Sequence, residues 1–345
     1  NLTHMGEFEM MKKTTSALAI AALLGSGAAS AVTFQVNDET TMSISTGVYW
    51  AFVEGTDKDG NNTTKWTDNG SDIVFNAQHE GANGVTTFLN IVLDDFRTPE
   101  SEGQPSLGGG NDITTDEMSL GVAGDFGTIT VGSDGNLHEA YVDGLKDIDA
   151  WSGVYGLAGD DSNMIKYDSV DLGGLSFSVA ANSYNDETTA KSGTAIQTGV
   201  SYDLGGAVVS AAYNNRGADD ADDAFYGVGV STTLGGVGVA ATYEVDTLDT
   251  EEADMFSLTG TYTVNGVDLY GVVQSLSFDS IADATAALAP SSGTPTTQTD
   301  DSFTQYLAGV RYHISGNLSV WAEILRTGYE NDQGDQTAIG VDAYF

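Results

Sequence analysis

The sequence predicts an all-β protein in which sixteen antiparallel strands close into a barrel that spans a membrane. Apolar and polar residues alternate with a period of two along most of the chain, which is typical of strands with one apolar face. Tight turns alternate with longer polar connections, as in a chain of hairpins. An even strand count puts the first and last strands where they can pair, and this closure is required because an open sheet edge in lipid leaves backbone groups unpaired.

The first 31 residues are predicted to be upstream residues and an export signal. A short basic start at Met11-Lys12-Lys13, an apolar run over residues 17–24 and a small-residue site ending at Ala31 are typical of a secretory signal peptide cleaved after Ala31. A membrane-anchoring helix fits less well, because the apolar run is shorter than the roughly 20 residues that a span needs. We therefore treat residues 32–345 as a single barrel domain.

Each predicted strand has an apolar and a polar face. The last strand alternates between the two, with Ile339, Val341, Ala343 and Phe345 on one side and Gly340, Asp342 and Tyr344 on the other. The polar faces carry mainly Ser, Thr, Gly, Ala and Asn, whereas a β-sandwich core needs large apolar side chains on both facing sheets. The pattern therefore predicts an apolar outer surface and a wet interior lined by small and hydroxylated residues.

Seven tight turns and eight longer connections separate the strands. Glycine and asparagine supply the positive φ that tight turns need. The tight turns are predicted at Glu80–Gly84, Gly124–Gly127, Asp171–Gly174, Asp203–Gly206, Leu234–Gly236, Val264–Gly266 and Ser315–Asn317. The longer connections are residues 54–70, 96–113, 135–161, 184–193, 215–223, 246–252, 279–300 and 330–334.

Aromatic residues lie near strand ends on the apolar parity, where interfacial girdles of membrane barrels occur. The general strand preference of aromatic residues explains any single one of them equally well, but their matched parity favours a girdle. The predicted girdle residues are Tyr167, Tyr202, Phe225, Tyr243, Tyr262, Tyr306, Tyr312 and Phe345.

Three segments resemble the Gram-negative general-diffusion porins, a family of trimeric sixteen-stranded outer-membrane barrels. Residues 124–132 (GDFGTITVG) resemble the hairpin before the third loop of that family, residues 164–178 resemble the strand pair after it, and residues 320–329 with Phe345 resemble the last hairpin. The resemblance implies short periplasmic turns, long outer loops, a third loop folded into the lumen, a homotrimer in the outer membrane, and a terminal Phe345 read by the barrel-assembly machinery. It also implies passive diffusion of ions and small hydrophilic solutes.

The chain departs from that family in its basic residues. Ser133 stands where many members have a basic wall residue, the Pro-Glu-Phe-Gly-Gly signature of the third loop is absent, and only nine Lys and Arg follow residue 31. In that family, basic residues of the wall face the acids of the third loop and produce a transverse electric field across the constriction. Because most of these basic residues are missing here, the resemblance does not extend to that field.

The connection over residues 135–161 is the predicted constriction, because it is long and carries many acids with one lysine, Lys146. The predicted constriction residues are Asp134, Glu139, Asp143, Asp147 and Asp149, with Lys166 and Arg311, both inward by parity, as candidates for the facing wall. Each acid taken alone is equally compatible with a solvated surface loop. Together, acids that line a lumen with low-dielectric walls concentrate cations, so we expect a cation preference.

The net charge of −39 is unchanged by removal of the signal, which holds two acidic and two basic residues. Two explanations compete for the acids of the other outer loops, such as Asp219 to Asp223 and Asp246 to Glu252. Divalent cations could bridge them to anionic lipopolysaccharide, or the protein could be adapted to a saline habitat in which repulsion is screened. The scattered arrangement favours the habitat.

Several function classes are excluded by composition and spacing. The acidity argues against nucleic-acid binding, and a chain with no cysteine has no thiolate site. His79, His138 and His313 lack metal-ligand spacing, and no G-x-S-x-G motif occurs. We therefore predict no catalytic, cofactor or metal residues.

Two alternatives to a general diffusion channel remain. One is a secreted, acidic, β-rich structural or adhesive surface protein. The other is a substrate-specific outer-membrane channel, which needs an aromatic slide or a basic lumen, and Trp151 and Tyr155 are few for that purpose.

Overall fold

The computed structural model describes residues 31–56, 61–68, 70–94, 114–151, 153–156, 160–186, 191–215, 224–247, 252–287 and 298–345. The predicted signal, the connection over residues 96–113 and most of the connection over residues 215–223 lie outside these ranges. The strand segments within them are β1 (Val32–Asn37), β2 (Thr40–Thr56), β3 (Asn62–Asp68), β4 (Asp72–Glu80), β5 (Thr86–Asp94), β6 (Thr114–Gly124), β7 (Gly127–Gly135), β8 (Asp160–Asp168), β9 (Leu175–Asp186), β10 (Lys191–Asp203), β11 (Ala207–Asn214), β12 (Phe225–Leu234), β13 (Val237–Asp246), β14 (Ala253–Val264), β15 (Val267–Phe278), β16 (Ser302–Ser315), β17 (Leu318–Arg326) and β18 (Gln336–Tyr344).

Helices are few and short in the described ranges. They are α1 (Leu137–Tyr141), α2 (Ile281–Ala287) and single 3₁₀ turns at Ala82–Gly84, Asp143–Leu145 and Glu330–Asp332. None of them is long and apolar enough to cross a membrane.

The strands form one closed antiparallel barrel. Strands β3 and β4 act as one interrupted strand, because β3 pairs with the second half of β2 and β4 with its first half. Strand β9 pairs with β10, and β18 pairs with β2, so that the described strands leave no open edge in the ring. The predicted barrel of sixteen antiparallel strands is confirmed.

The two ends of the barrel wall meet on β2. Phe345 and Thr46 exchange two backbone hydrogen bonds of 2.8 and 2.9 Å. Strand β1 pairs with the preceding residues of β2, with Val32 opposite Ile44. Strands β18 and β1 therefore follow one another along the same edge of β2, which satisfies the backbone groups that an open barrel would expose to lipid.

The predicted tight turns are confirmed, but the prediction for the first long connection is wrong in part. Residues 54–70 were expected to be a loop, whereas β2 continues to Thr56 and β3 begins at Asn62. Thr63, Lys65 and Thr67 alternate with Thr64 and Trp66, so this polar stretch still has the period of a strand and pairs with β2 residue by residue. Polarity alone therefore does not separate this strand from a loop.

Large apolar side chains cover the outer face. Exposed examples from around the ring are Leu120, Ile165, Val228, Leu258, Val273, Tyr306, Ile324 and Ile339. A contiguous apolar surface of this kind is far larger than a soluble monomer exposes, and it matches the lipid-facing band of a membrane barrel.

The predicted aromatic residues lie on the outer face with one exception. Tyr202, Tyr243, Tyr262, Tyr306, Tyr312 and Phe345 are exposed, and Tyr167 is half-buried. The prediction for Phe225 is wrong, because this side chain points inward and its ring lies 4.9 Å from that of His138. Tyr226, the next residue along β12, takes the outward position.

The outer belt generates a depth-dependent prediction on a single strand. Val228→Arg places a charge in the middle of the apolar band and should lower the free energy of unfolding by about 2–4 kcal/mol. Leu234→Arg, at the turn end of the same strand β12, should lower it by no more than about 1 kcal/mol. Urea unfolding in lipid vesicles measures both, and equal losses at the two positions would contradict the assignment of β12 as a membrane-crossing strand.

Candidate pore constriction

The connection between β7 and β8 folds into the barrel. We call residues 136–156 the constriction segment, of which residue 152 lies outside the described ranges. Asn136 begins it by capping α1, with its Oδ1 accepting from the backbone N of His138 at 2.8 Å. Helix α1 lies against β9 to β12, and the 3₁₀ turn that follows lies against β12 and β13. The segment therefore crosses the lumen instead of projecting into solvent.

A recess of glycines on the barrel wall receives the start of the segment. A Cβ atom on Gly199 would overlap the ring of Tyr141, and one on Gly229 would meet Leu145. On Gly227 it would approach both Val142 and His138. These three positions are inward by register, so the close approach of α1 to the wall depends on the missing side chains.

Long polar side chains of the wall hold the rest of the segment. Each is inward on its strand and bonds to the segment mainly through backbone groups. The contacts are Leu137 N to Gln197 Oε1 (2.8 Å), Ala150 N to Glu323 Oε2 (2.7 Å), Tyr155 N to Gln305 Oε1 (3.0 Å), Gln274 Nε2 to Tyr155 O (2.8 Å) and Trp151 Nε1 to Gln336 Oε1 (2.5 Å). A non-helical backbone inside the barrel is satisfied in this way.

One buried ionic cluster joins the segment to β13. Lys146 Nζ lies 2.5 Å from Asp143 Oδ1 and 2.7 Å from Glu244 Oε1. The other oxygen of Glu244 lies 3.0 Å from His138 Nε2. His138, Asp143 and Glu244 are close enough to hold a metal ion, but the ammonium of Lys146 already supplies the positive charge at their centre. We therefore assign the cluster as an ion pair and not as a metal centre.

The second part of the segment packs against an apolar inner wall. Ile148, Ala150 and Val154 contact a buried group formed by Tyr270, Val272, Leu307 and Leu325. Trp151 packs on Ala51, Val53, Trp321 and Ala338, and Tyr155 on a group around Leu276 and Phe278. The expectation that the whole interior is lined by small polar residues is wrong here, because β14 to β18 bury large apolar side chains under the segment.

The opposite half of the interior keeps a polar lining. By register, the inward side chains of β2 to β8 include Ser43, Asp72, Asn76, Asn90, Glu117, Ser119, Thr130 and Asp168. A cavity of about 710 Å³ lies on the short-turn side of the segment. It is lined by Leu145 and Ile148 of the segment and by hydroxyl-bearing residues of β12 and β14, such as Ser231, Thr259 and Thr261. The interior is therefore divided into a packed apolar half and a polar half.

The predicted acids of the segment have different environments. Asp143 is buried in the ionic cluster, and burial raises its pKa to about 6 although Lys146 opposes the shift. Asp147 is exposed, while Glu139 and Asp149 are half-buried. Burial, reinforced by the neighbouring Asp147 carboxylate, raises the pKa of Asp149 to about 8.

The predicted wall residues do not meet at one point. Lys166 faces inward on β8 with 8% exposure, and its Nζ lies 3.6 Å from Asp168 Oδ2. Arg311 faces inward on β16, and its Nε lies 3.5 Å from Asp342 Oδ2. Asp134 pairs with Asp161 in the sheet, and its side chain lies outside the described part. The structure brings together Asp143 and Lys146 of the segment but separates Lys166 and Arg311 on distant strands.

Sequence analysis missed the residues that hold the segment. Glu244 and Glu323 are fully or almost fully buried carboxylates on an inward face made mainly of small residues. One sequence feature does mark these residues: they are long polar side chains at positions whose parity is inward. Gln197, Gln274 and Gln305 have the same feature. Parity indicates that these residues point inward, but it does not say that they meet a loop there.

A closed barrel with a polar passage beside an inward-folded segment defines a channel of the outer-membrane type. The sequence profile of the Gram-negative porin family matches residues 14–333. The chain belongs to this family and lies in the outer membrane. Two relatives, a "Monosaccharide porin" of Halomonas sp. and the "Major outer membrane protein" of Halomonas elongata, are each 28% identical over 373 aligned positions that cover 97% of this chain and 100% of the relative.

Solved porin structures share the fold. An anion-selective porin from Comamonas acidovorans is 12% identical with a TM-score of 0.68, covering 89% of this chain and 100% of its own. The trimer form of OmpT from Vibrio cholerae is 14% identical with a TM-score of 0.62 and the same coverage of 89% and 100%.

The glycine recess predicts a clash that a second substitution relieves. Gly199→Ala should lower the free energy of unfolding by about 1–3 kcal/mol, because its methyl group overlaps the Tyr141 ring. Gly199→Ala combined with Tyr141→Ala should lose less than the sum of the two single changes, as measured by denaturant unfolding.

The matched control is Gly260→Ala, where an added Cβ meets nothing within 4 Å. It should change the free energy of unfolding by less than about 0.5 kcal/mol. A loss at Gly199 no greater than that at Gly260 would contradict the docking of α1 on the wall.

The raised pKa of Asp149 predicts two effects of pH. The folded protein holds this proton up to about pH 8, whereas the ordinary pKa of an aspartic acid is 3.8. The contribution of Asp149 therefore makes the free energy of unfolding fall as pH rises between those values. Ionisation above pH 8 also adds a negative charge to the segment, so the ratio of cation to anion permeability should rise there. Reversal potentials below and above that pH, in the parent and in Asp149→Asn, measure the second effect, and an identical rise in Asp149→Asn would contradict the assignment.

Proposed function

We propose that this porin is a water-filled channel for passive diffusion of ions and small hydrophilic solutes, and that it prefers cations. The observation that carries the proposal is the charge distribution around the polar half of the interior. Asp72, Glu117 and Asp168 lie on its wall by register, and the segment adds the exposed Asp147. Two lysines, Lys65 and Lys166, lie among the described residues of the same wall.

The two lysines are each engaged by a neighbour. Lys65 Nζ lies 5.4 Å from the centre of the Trp151 ring, and Lys166 Nζ lies within 4 Å of an Asp168 oxygen. The net negative wall in a narrow, water-filled passage concentrates cations and repels anions. Similarity to an anion-selective porin concerns the fold alone at 12% identity, so the sign of the selectivity has to follow from the charges of this chain.

Neutral monosaccharides are among the solutes that we propose. A relative carries the name "Monosaccharide porin", and an uncharged sugar needs only a polar passage of sufficient width. A channel dedicated to one sugar is less well supported, because Trp151 and Tyr155 are both packed against the wall by the segment. This packing covers part of each ring, and two half-buried rings are few for a stacking surface along the passage.

The partners we propose follow the family resemblance. A homotrimer is favoured by the trimer form of a structural neighbour, and the exposed Phe345 at the end of β18 is accessible to the barrel-assembly machinery. Outer-membrane lipid and lipopolysaccharide are further partners that we propose. We propose no catalytic role for any residue.

Planar-bilayer recordings under a KCl gradient test the proposal. The reversal potential should have the sign of a cation-selective channel. Asp147→Asn should reduce the preference, since it removes an exposed charge from the segment, whereas Asp254→Asn, on the outer face beside Tyr243, should leave it unchanged. An anion-selective reversal potential, or equal effects of the two substitutions, would contradict the assignment.

A further inference from the structure

The constriction segment contains a single lysine, and this lysine does not face the passage. Lys146 is the only Lys or Arg between residues 135 and 161, and it is 3% exposed. Its Nζ contacts the carboxylates of Asp143 and Glu244. The other acidic residues of the described segment, apart from Asp143, are Glu139, Asp147 and Asp149, and all three are more exposed than Lys146.

Glu244 is a carboxylate of the barrel wall that pairs with the ammonium of Lys146. Its side chain is fully buried on β13, and both of its oxygens are used. Oε1 accepts from Lys146 Nζ at 2.7 Å and from Thr242 Oγ1 at 2.9 Å, and Oε2 lies 3.0 Å from His138 Nε2. These partners fix the carboxylate in one orientation, and a buried carboxylate held in this way binds an ammonium strongly.

We propose that Glu244 is a selectivity-determining residue, which acts by withdrawing the ammonium of Lys146 from the ion path into the barrel wall. The proposal rests on the proposed cation preference and identifies one residue that produces it. Without the Glu244 charge, Lys146 retains the Asp143 carboxylate of its own segment as a partner but is no longer held by a charge on β13. Its four-carbon stem can then carry the ammonium toward the water of the passage. There it would oppose the acids of the segment and reduce the local concentration of cations.

Reversal potentials of a single and a double variant separate this charge effect from a loosened segment. Glu244→Gln should lower the cation-to-anion permeability ratio by about two-fold or more, since one added charge near the path acts on cations and anions in opposite senses. Glu244→Gln combined with Lys146→Met loosens the same contacts but has no ammonium to release, so it should retain the parent ratio. Equal ratios in the single and double variants would overturn the proposal.

The accessibility of Lys146 gives a second test, and its first part uses the unchanged protein alone. A small water-soluble amine-acetylating reagent, applied to the folded channel and followed by peptide mass spectrometry, should modify the exposed Lys65 and leave Lys146 unmodified. In Glu244→Gln, Lys146 should become reactive. Modification of Lys146 as fast as Lys65 in the unchanged protein would overturn the proposal.

The outcomes distinguish this inference from the proposed function. If the unchanged channel does not prefer cations, the proposed function fails. If it prefers cations and Glu244→Gln keeps the full preference, only the role of Glu244 fails. Asp254→Asn, on the outer face, serves as the matched control and should change neither the permeability ratio nor the labelling of Lys146.

Discussion

The shape of the interior depends on hydrogen bonds between the wall of the barrel and the backbone of the constriction segment. A stretch of chain that leaves the sheet and enters the lumen carries peptide groups that need partners. Inward glutamine and glutamate side chains supply them along the segment, from Gln197 at its start to Gln305 near its end. These side chains belong to strands that are themselves fixed by pairing, so they hold the segment against the wall at several points. The passage beside it has a defined lining as a result.

One half of the barrel interior packs against the segment, and the other half lines the passage. Strands β14 to β18 carry inward apolar residues that pack under the segment and stabilise it, as the core of a soluble protein would. The first half of β2 and strands β3 to β8 carry most of the polar and acidic inward residues beside the passage. The glycine recess on β10 to β12 and the Glu244 cluster connect the halves, because they set where the segment leaves the wall. The same few residues therefore determine both how the segment packs and which side chains line the passage.

The barrel could be predicted from the sequence because period-2 alternation and turn residues are local signals, and the family resemblance supplied the inward third loop. The failures have a common cause. Phe225 has the sequence pattern of a girdle residue, but its parity is set by pairing with Asn214 and Asp246, which are both buried. Val272 and Leu307 broke the expected polar lining because a loop more than a hundred residues away covers them. Whether an inward side chain meets water or the segment is a long-range property that alternation does not encode.

We expect water to fill the polar half of the interior, whereas the segment covers the apolar side chains of the other half. The chain has no cysteine, so single cysteines can be probed without background by a charged thiol reagent during conductance recording. Ser43→Cys and Asn90→Cys should react and change the conductance. Val272→Cys, under the segment, and Val228→Cys, on the outer face, should not. Reaction at Val272 as fast as at Ser43, or no reaction at either polar position, would contradict the account.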